Sequence, residues 1–366
     1  MFKSFFIAST GQHVGKTTLS LGLLSGLQKR KISVSYMKPI GQEVEQTKSG
    51  VLVDKDALLI KEHFSLKVDD RCMSPVLIPP GLTKDFLDEK IQMEHLSESI
   101  TSSFAKLSKK DTSLIVEGTG HMGVGSIINL NNAQVAKKLG LPILLIASGG
   151  LGSAFDELAL NKALCDLYEV PVLGVILNRV KPEKKEMITS YMQKALKRWD
   201  IPLLGCIPLD PILGIPSIYD LKNLFHGTFL SGEECKLKHF KQIRLAAASA
   251  SFFRETIEPG QLIITPAHRE DIILAILGKY WEVSKKQDLN VGMILTGQLS
   301  PRNFVIEELK KARIPAFHIP LHSDEVLEKI NSFTAKIQKE DGEKIMEAIK
   351  VVEQNIDFDL LIKLLS

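Results

Sequence analysis

The chain opens with an apolar run, Phe5 to Ala8, that breaks into Ser9 to Thr18, S-T-G-Q-H-V-G-K-T-T, and resumes with apolar residues at Leu19, Leu23, Leu24 and Leu27. A short continuous run followed by apolar spacing of three and four reads as strand, loop and helix. Strand-length apolar segments recur at 32–37, 112–117, 142–147, 172–179 and 204–208. Helical patterns separate several of them, at 131–139, from about Phe155, and at 94–109. Strands buried on both faces and alternating with helices predict an α/β fold with a doubly wound parallel sheet. Residues 61–110 are less legible, broken by Pro75, Pro79, Pro80 and Gly81.

A proline-rich run ending at Pro216 marks the expected end of a first domain, 1–215. The second domain, 216–366, begins with a polar, helix-prone stretch at 220–240. Strand signals follow at 242–248, 262–265 and 292–295, and Pro266 leads into a helix. From Asp324 the chain is charged and helix-prone, with apolar Ile330, Phe333, Ile337, Ile345, Ile349 and Val352.

The glycine loop is the first candidate for chemistry. Such a loop turns backbone N–H groups around a phosphate at a helix start, which predicts contacts from Gly11, Gln12, His13, Val14, Gly15, Lys16, Thr17 and Thr18. Lys16 would reach the β/γ-phosphates and Thr17 would offer a hydroxyl to Mg²⁺. The strict G-x-x-x-x-G-K-[ST] pattern is not met, because Thr10 holds its first position and Gly11 follows. Glu117 ends an apolar strand before Gly118 and Gly120, where P-loop proteins place a carboxylate that helps hold the metal. Asp54 and Asp56 open a helical run, either as N-terminal caps or with one of them near Mg²⁺. Lys38 is either a second cation for phosphate or substrate or a solvated lysine at a turn. Asn178 either reads an adenine edge or stabilises its turn.

Composition narrows the partners. In 366 residues, 46 Lys and Arg against 43 Asp and Glu leave a net charge of only +3, with cations dispersed in pairs such as Lys109-Lys110. That pattern excludes an electrostatic footprint for nucleic acid. The N-terminal apolar run stops too early for a signal peptide and no run reaches the length of a membrane span, so a soluble, cytoplasmic protein is expected. Cys72, Cys165, Cys206 and Cys235 are far apart and form no zinc or disulfide pattern.

The order of these motifs resembles dethiobiotin synthetase, and more closely the synthetase-like N-terminal region of long bacterial phosphate acetyltransferases. The resemblance rests on the loop, Tyr36-Met37-Lys38-Pro39, Asp54-Lys55-Asp56-Ala57, Val116-Glu117-Gly118-Thr119-Gly120, Gly174 to Asn178 and Gly205-Cys206-Ile207-Pro208. It implies ATP in the loop, Mg²⁺ near Thr17, Asp56 and Glu117, catalytic Lys16 and Lys38 beside the phosphates, and Asn178 with Pro208 around adenine. Ser9, Gln12 and His121 depart from the synthetase pattern, and the positions around Gln12, Gln42 and His121, where that family holds its diamino acid, are changed. The second half resembles the DRTGG domain, with His268 at the aspartate and Gln298 at the second glycine. Helix capping by Glu270 and Asp271, with Arg269 on the surface, is favoured there over a ligand role for His268, Arg269, Asp271 or Thr296.

The resulting expectation is a Mg·ATP-binding regulatory or assembly module, with an ATP-dependent ligase of the dethiobiotin synthetase or cobyrinic acid a,c-diamide synthase type as the alternative. The resemblance also implies a small carboxylate metabolite, a phosphate acetyltransferase partner and a homo-oligomer. The acetyltransferase domain is absent from these 366 residues, so direct acetyl transfer is not expected of them.

Overall fold

The computed structural model describes residues 3–90, 93–108, 112–235, 237–283, 288–333 and 335–366. Lys109 and Lys110, with the end of the helix expected to reach residue 109, lie outside the described residues. The chain divides into two units, residues 1–210 with 337–366, and residues 211–336.

The first unit is built on a six-stranded parallel sheet: β1 (Phe5–Ser9), β2 (Val34–Met37), β3 (Ser113–Glu117), β4 (Ile143–Ser148), β5 (Val172–Val180) and β6 (Leu203–Pro208), in the order β6-β5-β4-β1-β3-β2. Alternation along β1 shows why both faces are covered. Phe6 and Ala8 join the core on one face, while Phe5 and Ile7, equally buried, point to the other. β1 lies between β4 and β3, so the chain leaves it on both sides and opens a crevice beyond the carboxyl ends of the strands. The loop after β1 enters helix α1 (Lys16–Lys29) at that crevice.

The C-terminal segment corrects the expected domain division, because residues 337–366 belong to the first unit. The reason lies on α1. Gly22 and Gly26, one turn apart, carry no side chain, and Val352 and Phe358 occupy that space: a Cβ on either glycine would sit 2.2 Å from Val352 Cβ or Phe358 Cζ. Glu353 locks the arrangement by accepting hydrogen bonds from Ser25 Oγ at 2.7 Å and Lys29 Nζ at 2.6 Å. These contacts come from the helix Gly342–Glu353 and the start of the helix Phe358–Leu365.

The second unit holds five strands, β7 (Thr228–Ser231), β8 (Gln242–Leu245), β9 (Gln261–Pro266), β10 (Gly292–Thr296) and β11 (Ala316–Ile319), in the order β7-β11-β10-β9-β8. Only the edge strand β7 runs antiparallel to its neighbour. Its strand lies inside the stretch expected to be helical at 220–240, where the helix covers only Ile218–Phe225. Glu270 is bound by Arg302 and Asp271 by Arg269, so these charges form surface ion pairs.

No helix among the described residues is long and apolar enough to cross a membrane. Cys72, Cys165 and Cys206 are buried and all four cysteines are free thiols. Burial, with Asp166 adding to it, pushes the Cys165 thiol up to about 12.

Candidate functional site at the glycine loop

Three segments meet at the carboxyl edge of the first sheet: the loop after β1, the end of β2 and the end of β3. The loop is held by contacts that its sequence alone does not display. Gly15 takes φ of 105° at the start of α1, and a Cβ there would lie 2.2 Å from Asn178 Nδ2. Asn178 Nδ2 donates to Val14 O at 2.7 Å, while its Oδ1 accepts from Arg179 N. The carboxamide of Asn178 thus braces the glycine loop and its own turn. Thr10 Oγ1 donates to Glu157 Oε2 at 2.8 Å, fixing the loop's entry. Gln12 and His13 are exposed at its crest, and His13 takes a positive φ of 56°. Pro208 closes β6 at the same edge of the sheet.

Lys16 is folded inward. Its Nζ donates to Ser9 Oγ at 2.9 Å and to Gly120 O at 2.5 Å, tying the glycine loop to the turn after β3. Asn132 holds that second turn by accepting from Thr119 N and donating to the carbonyls of Thr119 and His121. Ser9, one of the residues that departs from the synthetase pattern, is therefore a ligand of the loop lysine here.

Glu117 is buried at the centre. Its Oε2 accepts from Ser20 Oγ at 2.6 Å and Tyr36 Oη at 3.0 Å, and its Oε1 from Thr17 Oγ1 at 3.2 Å. Lys38 Nζ lies 3.0 Å from Asp54 Oδ1 and 4.0 Å from Glu117 Oε1, and it is bonded to Asp56. The sequence brings these groups together by simple periodicity. Ser20 follows Thr17 by three on one helix face, and Tyr36 precedes Lys38 by two along an extended segment. Those spacings could have flagged Ser20 and Tyr36 as partners of the site. Asp54 carries two tasks: its Oδ1 accepts from Asp56 N as the cap of the helix Lys55–His63, and its Oδ2 accepts from Gln42 N at 3.1 Å.

The charges are unequal in number. Burial alone would draw the Lys38 amine down, but Asp56, Glu117 and Asp54 overcome it and keep the ammonium well above its ordinary value. Burial pushes both Glu117 and Asp54 above the usual carboxylate range, because Lys38 only partly offsets it and Asp56 adds repulsion. Burial, followed by the same carboxylates, raises Tyr36 as well, so its phenol stays protonated and donates to Glu117.

Oxygen donors from Thr17, Asp56 and Glu117 suit a hard divalent cation that keeps waters and shares phosphate oxygens. Among the described residues no three His, Cys, Asp or Glu side chains form a ready-made metal cage. The oxygen set fits such an ion only together with a phosphate, and with the Lys38 ammonium moved from between the acids. Gln42 and His121, two of the changed positions, are exposed nearby, and His121 Nδ1 accepts from Gly123 N at 3.2 Å.

A parallel sheet, a glycine loop opening α1, and a lysine and an acid meeting at the strand ends define a P-loop α/β domain followed by a smaller α/β unit. The chain belongs to the AAA domain family, whose match covers residues 3–217, and a DRTGG domain match covers residues 220–333. It is 26% identical to a phosphate acetyltransferase of Nitratidesulfovibrio vulgaris over 98% of this chain and 51% of that protein. It is also 26% identical to an ATP-dependent dethiobiotin synthetase of Nitrosopumilus maritimus over 60% of this chain and 92% of that one. The chain spans about half the length of the phosphate acetyltransferases it matches. Among solved structures, the MinD cell division protein of Aquifex aeolicus aligns with a TM-score of 0.36 at 17% identity, over 58% of this chain and 84% of that one.

Proposed function

We propose that this chain binds Mg·ATP through its first unit and acts as a regulatory or assembly module related to phosphate acetyltransferase. The observation that carries the reading is the meeting of Lys16, Thr17, Lys38, Asp56 and Glu117 at one strand edge. Lys16 would exchange its bond to Gly120 O for the β/γ-phosphates. Backbone N–H groups of the loop, from Gly11 to Thr18, would receive the remaining phosphate oxygens. Thr17, Asp56 and Glu117 would hold Mg²⁺, which supplies charge neutralisation between the phosphates. Asn178, whose amide already braces the loop, and Pro208 would stand beside the base. Lys38 would leave the acids for the γ-phosphate side, because the ammonium and the metal cannot share the same oxygens.

The changed positions at Gln12, Gln42 and His121 favour binding over carboxylation of a diamino acid. Retention of Lys38 beside Asp56 and Glu117 favours the second reading, an ATP-dependent ligase acting on a small carboxylic acid. Calorimetric titration of the chain with ATP and Mg²⁺, followed by product analysis, tests both. Tight binding that Lys16→Ala abolishes, with ADP formed slowly or not at all, supports the module. Rapid ADP formation dependent on a small diamino or carboxylic acid selects the ligase, and absence of ATP binding refutes both.

A further inference from the structure

A cavity of about 820 Å³, open to solvent, lies in the first unit and shares none of the glycine-loop residues. Its walls are the turn at 49–52, the segment 69–77, and one face of the helix Met93–Leu107. That volume is in the range of small-molecule sites. The helix is divided by its own periodicity. Ile100 and Leu107 are buried in the core, with Leu96 and Phe104 packed against it. Ser99, Ser102, Ser103 and Lys106, at spacings of three and four, line the cavity instead.

The lining is cationic and rich in hydroxyls. Arg71 and Lys106 approach from different walls, and neither guanidinium nor ammonium has an ion-pair partner among the described residues. Asp69 is the one carboxylate in the lining, and its Oδ1 accepts from Arg71 N as a helix cap. Ser103 is only 7% exposed as a whole, and its hydroxyl, which makes no hydrogen bond among the described residues, is reached from the cavity it lines.

We infer that this cavity binds a phosphorylated small metabolite, whose phosphoryl group is received by Arg71, Lys106 and Ser103. A planar guanidinium and a mobile ammonium, both exposed and carried on different walls, suit a dianion, and the surrounding serines suit a hydroxylated body. No residue of the glycine loop lines the site, so a variant of the loop lysine leaves its ligands in place.

The test is calorimetric titration of the full chain with inorganic phosphate, pyrophosphate and citrate, in a Lys16→Ala background that removes phosphate capture by the glycine loop. Phosphate or pyrophosphate is expected to bind, and to weaken roughly tenfold or more when Arg71→Gln and Lys106→Gln are added, since each removes charge-assisted bonds. Ser103→Ala is expected to weaken it less. In the chain with Lys16 intact, the Arg71→Gln/Lys106→Gln pair should leave the melting temperature and ATP affinity unchanged, which separates this site from the loop and from misfolding. Failure of both phosphate and pyrophosphate to bind, binding that the double variant does not weaken, or a preference for citrate would overturn the inference.

Discussion

Replacing Lys38 with methionine removes one ammonium from the midst of three carboxylates while keeping an unbranched side chain of similar length. The side chain of Lys38 is 8% exposed, and those of Asp54 and Glu117 are 1% exposed. Solvent reaches Asp56, which is 28% exposed, but not Asp54 or Glu117, so it cannot replace the charge beside those two. Truncating one partner of a buried ion pair costs about 3–5 kcal/mol, because the remaining charge stays buried and uncompensated. For a unit of this size, about 2–4 °C of melting temperature accompanies each kcal/mol, giving a fall of about 6–20 °C. The deficit depends on pH in a direction fixed by the acids. Burial already raises Asp54 and Glu117, and loss of Lys38 removes the cation that opposes the shift. Their folded values then lie further above the unfolded ones of about 4, so the folded chain binds more protons than the unfolded chain. That contribution is fully present below the unfolded value and is lost as pH rises through the folded one. Thermal melts of Lys38→Met should consequently lie closer to wild type at pH 5 than at pH 8. A melting temperature unchanged from wild type, or a deficit that is flat or grows on acidification, would refute the placement of Lys38 as counter-ion to these acids.

Other expectations follow from the same geometry. Phe358→Ala should destabilise the first unit by about 3–5 kcal/mol, measured by denaturant unfolding, since the ring fills the space over Gly26. Gly26→Val should cost at least as much, and a wild-type midpoint for either variant would mean that the C-terminal helices do not hold α1. Asn178→Ala releases Val14 O and should weaken ATP binding without a large loss of stability, read by titration beside a melting curve. If Thr17, Asp56 and Glu117 hold Mg²⁺ with the nucleotide, EDTA should remove most of the thermal stabilisation that Mg·ATP gives, and ATP alone should shift the melt little.

The apolar runs that became β1, β3, β4 and β5 were legible because strands covered on both faces need no partner information to be recognised. The helix at 220–240 misled for the opposite reason. Polar, helix-prone composition there reflects a surface segment, and the pairing of Thr228–Ser231 with β11 decides its structure. Lys16, Thr17 and Glu117 could be read in sequence because each ends or opens an element at a fixed offset from glycine. The approach of Ser20 and Tyr36 to Glu117, 97 and 81 positions away, is set by the fold, and Asp54 is legible as a cap but not as a counter-ion of Lys38. The C-terminal segment shows the same limit at larger scale. Gly22 and Gly26 look like weak points in α1 when the helix is considered alone, since glycine there costs about 1 kcal/mol relative to alanine. They make sense only once Val352 and Phe358, more than 300 residues away in the sequence, are known to occupy that face. The helix that carries Lys16 and Thr17 is thus clamped from behind by the end of the chain. Any shift of Val352, Glu353 or Phe358 would move α1, and with it the loop lysine, which makes the C-terminal helices part of the site's support.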